Sequence, residues 1–389
     1  MERLISKFGI FLPYIIVLSQ VFRIGGIINY GIIMLHLCNI FVILTNIKYV
    51  LKDKLLLISL IYIGITILYQ LLTPPLSEIY NPYVKDFYYL FIETGMSFWL
   101  IGYKGYDLLK KYVLNIIYCL VIFLLIVGYY IIYLAGDISL LDAELWDYTY
   151  QLLPYLFLWL TSVFYLYRGN MRIILIILFV LVIVLSTKRG PLVSFSLGII
   201  LSSILLQKRI NIKRILSIVF LSIMLGYVIY NEFYDFFENW INRWTEQEDI
   251  SNGRDDIWMI IWHEMLNKDF ITWIFGNGYE ATHIITYRNL WGAIGAHNDY
   301  LDILYNMGII GEGIFISLII SWILVIKHAI KCNFLYTNIM IYLLVCFIIG
   351  SYISSNLTRF ATVFFGLYFY YFAGCLKRNT SKSNLSNTI

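Results

Sequence analysis

Apolar runs close to the length of a bilayer crossing follow one another along most of this chain, separated by short polar turns. A helix needs about 20 mostly apolar residues to cross hydrocarbon. Runs of that kind fall at residues 8–22, 26–45, 54–72, 87–103, 112–135, 148–167, 172–187, 190–206, 214–231, 298–326, 334–353 and 360–376. They are apolar on every side, as at Ile173–Leu185, where strands of a transmembrane barrel would alternate. The pattern predicts an all-α polytopic membrane protein of about twelve transmembrane helices. The first run is short, and the tenth is long enough to tilt or to begin outside the bilayer. Pro13, Pro154 and Pro191 lie in or near spans, where neighbouring helices can satisfy the freed carbonyls. Arg3 and Lys7 precede the first run without a small-residue cleavage site after it, so it reads as an uncleaved helix. The expected organisation is helices one to nine over 1–231, a large hydrophilic loop over 232–297, helices ten to twelve over 298–376 and a polar tail over 377–389.

Composition narrows the class. Hydrophobic residues make up 60% of the chain and charged residues 13%, whereas a soluble domain carries about a quarter charged residues. Cys38, Cys119, Cys332, Cys346 and Cys375 all sit in or beside apolar runs, with no CxxC pair, so they read as core- or lipid-facing thiols. Nothing points to a nucleic-acid partner.

Charge sets the expected orientation, because cytoplasmic loops collect Lys and Arg. With a cytoplasmic N-terminus, the inner connections carry Lys48, Lys52, Lys54, Lys104, Lys110, Lys111, Arg168, Arg172, Lys208, Arg209, Lys213, Arg214, Lys327 and Lys331. The tail adds Lys377, Arg378 and Lys382 on the same side, whereas Asp137, Asp142, Glu144 and Asp147 lie opposite. Both termini are therefore expected in the cytoplasm, with the large loop outside. Lys188 and Arg189 break the rule on the outer side. Either a short turn needs polar residues there, or Arg189 faces an anionic ligand. Arg359 is a lesser case of the same kind.

The large loop holds eleven acidic residues against four basic ones, Arg243, Arg254, Lys268 and Arg288. An acidic loop does not attract phosphate as a whole, so an anion site here must use individual arginines. Ser251 or Asn252 is placed to cap a helix whose first turn carries Asp255 and Asp256, as the helix dipole prefers. Ile257, Trp258, Ile261, Trp262 and Met265 share one face, giving an amphipathic helix on the bilayer surface or on the tops of the spans. Gly276-Asn277-Gly278 marks a tight turn. The loop ends at His297-Asn298-Asp299-Tyr300. There His297 is either a general base, with an ordinary pKa near 6.5, or incidental to a cap made by Asn298 or Asp299.

Three segments together resemble the O-antigen ligase and polymerase superfamily of bacterial surface-glycan enzymes. Ser186-Thr187-Lys188-Arg189-Gly190 looks like that family's Ser-x-x-Arg-Gly turn. Gly253-Arg254-Asp255-Asp256-Ile257-Trp258 is similar to its Gly-Arg-x-x-x-Trp segment, with Gly276 and Gly278 following. His297-Asn298-Asp299-Tyr300-Leu301 continuing to Gly308-Ile309-Ile310-Gly311 looks like its His-Asn-x-x-Leu and Gly-x-x-Gly signature. Glu312 departs from the pattern, since the family usually has an apolar residue there. A carboxylate at that depth needs a partner or a watery cavity.

The resemblance implies a GT-C-like frame and a metal-independent glycosyltransferase without cofactor at the outer face of the bacterial inner membrane. Its partners would be the bilayer and oligosaccharides linked to undecaprenyl diphosphate, as donor and as acceptor. A chain-length regulator is a further candidate partner. Arg189 and Arg254 would bind the diphosphate, since guanidinium forks match phosphate oxygens. His297 would deprotonate or orient the acceptor hydroxyl, supported by Asp299 or Tyr300. Adjacent Asp255 and Asp256 read as helix-start charge ahead of a metal site. Polymerisation of repeat units is the first reading, from the compact length and the highly apolar first half. Ligation of finished glycan to lipid A-core is the alternative. A transporter or flippase of lipid-linked sugars is a second one, and it would need charges along a mid-span path, where only Glu93 and Glu312 stand out.

Overall fold

The computed structural model describes residues 11–16, 25–73, 87–106, 155–156, 158–160, 189–206, 254–290, 295–354, 356–357 and 359–386. Within these the chain is helical: α1 (Gly25–Thr45), α2 (Lys54–Leu72), α3 (Phe87–Lys104), α4 (Arg189–Leu206), α5 (Arg254–Leu266), α6 (Phe270–Phe275), α7 (Ala281–Leu290), α8 (Asp299–Lys331), α9 (Thr337–Ile353) and α10 (Val363–Ser386).

The helical class holds, and the span number does not. Among the described residues four helices are long and apolar enough to cross a membrane: Ile28–Thr45, Lys54–Leu72, Asp299–Lys331 and Phe360–Ser381. The expectation of about twelve spans on a GT-C-like frame is therefore corrected. The apolar stretches Gly190–Leu205 and Thr337–Ile353 are shorter, rising roughly 25 Å at 1.5 Å per residue against a hydrocarbon core of about 30 Å. The run at 87–103 forms α3, but its middle is polar at Glu93, Thr94 and Ser97. The reason for the overcount is physical: hydropathy responds equally to lipid and to a protein core. α9, an expected span that falls short, buries Ile339, Met340, Ile341, Tyr342, Leu343, Leu344 and Phe347 in the core. The expected spans at 112–135, 172–187 and 214–231, and most of those at 8–22 and 148–167, lie outside the described residues.

The centre of the bundle is the pairing of α3 with α10, set by glycines. A Cβ on Gly95 would stand 2.6 Å from the Tyr370 ring, and side chains at Gly366 and Gly374 would run into the carbonyls of Phe91 and Trp99. Small residues at such points let helix backbones approach closely, which drives association where lipid supplies no hydrophobic force. Trp322 of α8 fills the adjoining space, ringed by Phe347, Phe365, Phe369 and Tyr370 at 5.0–6.3 Å. Its indole donates to Tyr370 Oη at 3.2 Å, and that hydroxyl also meets Ser59 Oγ at 2.7 Å. Between α1 and α3, Glu93 is held by His36 Nδ1 at 2.6 Å, and Asn39 donates to Thr94 at 2.9 Å. Buried polar groups survive in such a place only when paired.

The tenth expected span, α8, neither tilts as one rod nor runs straight. It breaks at Gly308, whose backbone (φ 66°, ψ −167°) lies in a region that only glycine occupies readily. The break frees carbonyls inside the protein, and each finds a donor. Asn277 N donates to Tyr305 O at 3.0 Å, Gly278 N to Asn306 O at 3.0 Å, and Tyr69 Oη of α2 to Met307 O at 3.1 Å. Gly276, with φ 78° and ψ −175°, lets the donor strand approach, since a Cβ there would collide with Asn306. The Gly276-x-Gly278 turn and Gly308 are thus two halves of one lock.

Gly308→Ala should lower stability by about 2 kcal/mol or more, combining backbone strain with a clash against Ile274. Gly313→Ala, in open space, should change little. Thermal midpoints of the two purified variants in detergent check the contrast.

Candidate functional site

The described part of the large loop begins at α5. Asp255 and Asp256 stand exposed in its first turn, where the helix dipole favours them; the expected caps Ser251 and Asn252 lie outside the described residues. Ile257, Ile261 and Met265, one turn apart, are buried against Ala281, Ile285, Ala296 and Tyr305. The apolar stripe of the amphipathic helix therefore closes a small second core on α7 and the start of α8. Trp258 and Trp262 stand at the edge of that stripe, and Trp262 is 46% exposed.

Trp258 ties α5 to the segment before His297, its indole donating to Ala296 O at 2.7 Å. From the other side, Ala296 N donates to Asp302 Oδ1 at 2.9 Å. Held at Ala296, the chain turns through His297 with φ 54°, a left-handed conformation uncommon for a residue with a side chain. Asn298 then caps α8, its Oδ1 accepting from Tyr300 N and Leu301 N at 3.1 and 3.2 Å. Capping is thus the work of Asn298. The half-buried His297 is set into a defined strained turn beside it.

Asp299 is fully buried, and its carboxylate accepts from the backbone amides of Asn356, at 2.8 Å, and Leu357, at 3.2 Å. It fastens the start of α8 to the turn after α9. The same turn gathers arginines. Arg254 Nη1 donates to Ile353 O, and Arg359 donates through Nε and Nη2 to Ser354 O at 3.2 and 3.1 Å. Arg359 also lies over the Tyr155 ring at 3.8 Å, and Tyr155 Oη bonds to Ser354 Oγ. These carbonyls close α9, the negative end of its dipole, which favours cations. Arg189 opens α4, and a Cβ placed on the next residue, Gly190, would stand 3.2 Å from Ser354 Oγ. Two arginines widely separated in sequence therefore meet at Ile353 and Ser354, and the start of α4 packs against the same turn. Arg359 is the one that the sequence left as a lesser case. Its signal was the same as Arg189's, a basic residue on the side where the charge rule disfavours one.

Beside this junction is a cavity of about 500 Å³ lined by Trp258, Trp262, Asn298, Tyr300, Leu301, Leu304, Glu312 and Tyr352, within the usual range for ligand pockets. Trp258 and Tyr352 face each other at 5.7 Å, and Tyr300 rests on Phe315 at 5.5 Å. Leu301, Leu304 and Glu312 fall on one side of α8. The structure brings His297, Asp299, Tyr300 and Arg254 to the rim or wall of one region, together with the start of α4 at Arg189. It also supplies the cavity that Glu312 requires.

His283 of α7 is a second histidine close by: a Cβ on Gly295 would lie 3.6 Å from its ring. Burial pushes its pKa down from 6.5 to about 4, so it stays neutral across the physiological range.

The class defined so far is a helical membrane-associated protein with a polar site at one end of its bundle. The comparison that names a family agrees: residues 174–316 match the family described as O-antigen ligase (Wzy_C), so the chain carries a domain of that superfamily over this segment. Arg189, Arg254, both glycine turns, His297 and the break at Gly308 all lie inside it. No curated protein matches the chain. Together the match and the apolar helices give the protein a glycan-processing part, of the enzyme kind that this superfamily comprises.

Asp299→Asn keeps the size but turns one of the two acceptor oxygens that hold Asn356 and Leu357 into a donor; a loss of about 1–3 kcal/mol is expected, with faster proteolysis near residue 356. His283 gives a pH signature. Between pH 6.5 and about 4 the unfolded chain takes up a proton that the folded chain refuses, so stability falls as pH drops through that window. The thermal midpoint should fall from pH 7 to pH 5, and less so in His283→Gln.

Proposed function

We propose that the protein polymerises oligosaccharide repeat units carried on undecaprenyl diphosphate, at the periplasmic face of the bacterial inner membrane. The observation that carries this reading is the meeting of Arg254, Arg359 and the start of α4 at Ile353 and Ser354, beside His297. A glycosyl diphosphate donor needs cations at its leaving group and a proton acceptor at the attacking hydroxyl, the parts this reading gives to the arginines and to His297.

In this mechanism Arg189 and Arg254 grip the diphosphate. A guanidinium carries five N–H donors, so the bond to Ile353 anchors one end of the Arg254 fork toward phosphate oxygens. The acceptor hydroxyl oxygen attacks the anomeric carbon, whose bond to the diphosphate oxygen breaks. The hydroxyl proton passes to His297 and then to solvent, and the lipid diphosphate leaves as an anion stabilised by the arginines. No metal ion is required in this scheme, because the arginines supply the positive charge. The carboxylate of Asp299 fixes the turn that receives Arg254, and Tyr300 lines the acceptor side; their support of His297 is through position.

A second reading, transfer of finished glycan to lipid A-core, is favoured by the description of the matching family as O-antigen ligase. Both reactions use the same donor and the same residues, so the product decides. In a deletion strain, cores capped by one repeat mark a polymerase, whereas loss of all O-antigen with build-up of lipid-linked polymer marks a ligase. Complementation with Arg189→Ala, Arg254→Ala or His297→Ala should reproduce the deletion, with transfer by the His297 variant down about 10²–10⁴-fold. Normal glycan from a properly inserted His297→Ala protein would sink its catalytic role.

A further inference from the structure

We infer that the cavity beneath α5 is a saccharide subsite for the acceptor, in which Glu312 receives hydroxyl hydrogens of a sugar ring held between Trp258, Trp262 and Tyr352. This rests on the reading of the protein as a glycosyl transferase. The carboxylate comes first in the argument. Glu312 lies one turn past the break at Gly308, about 5 Å along the continuous helix that follows. Its Oε2 is buried without a hydrogen-bond partner among the described residues. A carboxylate so placed costs free energy until something donates to it. Its lining neighbours are aromatic and aliphatic, apart from Asn298.

The chemistry of the walls selects the occupant. An acyl chain would suit the leucines and leave the carboxylate desolvated. A diphosphate finds no basic residue among the described residues that line the cavity, and meets an acidic side chain there instead. A sugar ring answers both demands: its C–H faces lie against the electron-rich faces of aromatic rings, and its hydroxyls donate to a carboxylate. The cavity is also placed for an acceptor. Asn298, next to His297, is in its wall, whereas the arginines meet outside it, at Ile353 and Ser354. The acceptor sugar therefore enters from the α5 side and the donor diphosphate from the α9 side, with His297 at their boundary. The break at Gly308 makes this possible, since it separates the cap of α8 from the turn that carries Glu312.

The test uses the full-length protein in proteoliposomes. Lipid-linked single repeats from the deletion strain serve as substrate, and the same repeat released from its lipid serves as the binding probe. Glu312→Gln and Glu312→Leu should weaken binding of the lipid-free repeat about tenfold or more, as expected for lost bonds to a charged group. They should raise the acceptor KM while kcat stays within about twofold. Glu312→Asp should recover part of the loss, and Trp262→Ala should weaken binding without Glu312 being touched. Wild-type affinity in both Glu312→Gln and Glu312→Leu overturns the subsite, as does a fall in kcat at unchanged KM. Equal quenching of Trp262 by brominated acyl chains with and without the repeat also overturns it, by showing that lipid occupies the cavity. The transferase reading fails separately. Wild-type protein that binds the repeat through Glu312 yet joins no repeats keeps the subsite and removes the reaction.

Discussion

A helix interrupted inside a protein must find donors for the carbonyls that it frees, and this requirement organises the functional end of the molecule. At Gly308 the ladder of α8 stops. Its carbonyls at Tyr305, Asn306 and Met307 are taken by Asn277, Gly278 and Tyr69, which belong to the loop and to α2. Water cannot serve such groups in an apolar bundle, so the loop must dock there or the break cannot persist. Once docked, the loop brings α5 and α7 over the start of α8. That placement sets Trp258 on Ala296 and fixes the turn at His297.

The second fastening runs from Asp299 to the turn after α9. A carboxyl group bonded to two backbone amides is a two-point clamp, and here it joins the start of α8 to the turn after α9, 57 residues on. Arg254 and Arg359 hold the carbonyls of the same turn that Asp299 holds by its amides. Donors on the carbonyls and acceptors on the amides thus brace successive peptide groups of the turn around which α4, α5, α8 and α9 meet. The polar site is built from these structural bonds. A guanidinium that anchors a carbonyl through one nitrogen is already oriented when an anion arrives, which reduces the entropy lost on binding.

Several features were legible in the sequence because they are local. The apolar stripe of α5 follows from helical spacing, and Asn298 as a cap follows from its place before an apolar run. The three motif segments, at Arg189, Arg254 and His297, all lie in the matched region. Other features were not legible. The number of spans was overestimated because a residue run that must avoid water can do so in lipid or in a core, and the shorter α9 uses the core. Glu312 looked anomalous because its cavity is assembled from α5, α8 and α9, which no spacing rule connects. Arg359 looked ordinary because its bond to Ser354 depends on a turn closed by Asp299.

The sequence by itself determined that this chain is helical and largely apolar. It also determined which few polar residues interrupt the pattern, since periodicity and charge act over one or two turns. Only the tertiary structure decided what those residues do together. Hydrogen bonds and desolvation act over a few ångströms in space, between atoms that lie as much as 354 residues apart in the case of Tyr14 and Tyr368. The turn at Gly276-Asn277-Gly278 becomes the source of two donors, Asn277 N and Gly278 N, to a broken helix. An unexplained glutamate becomes the polar wall of a cavity.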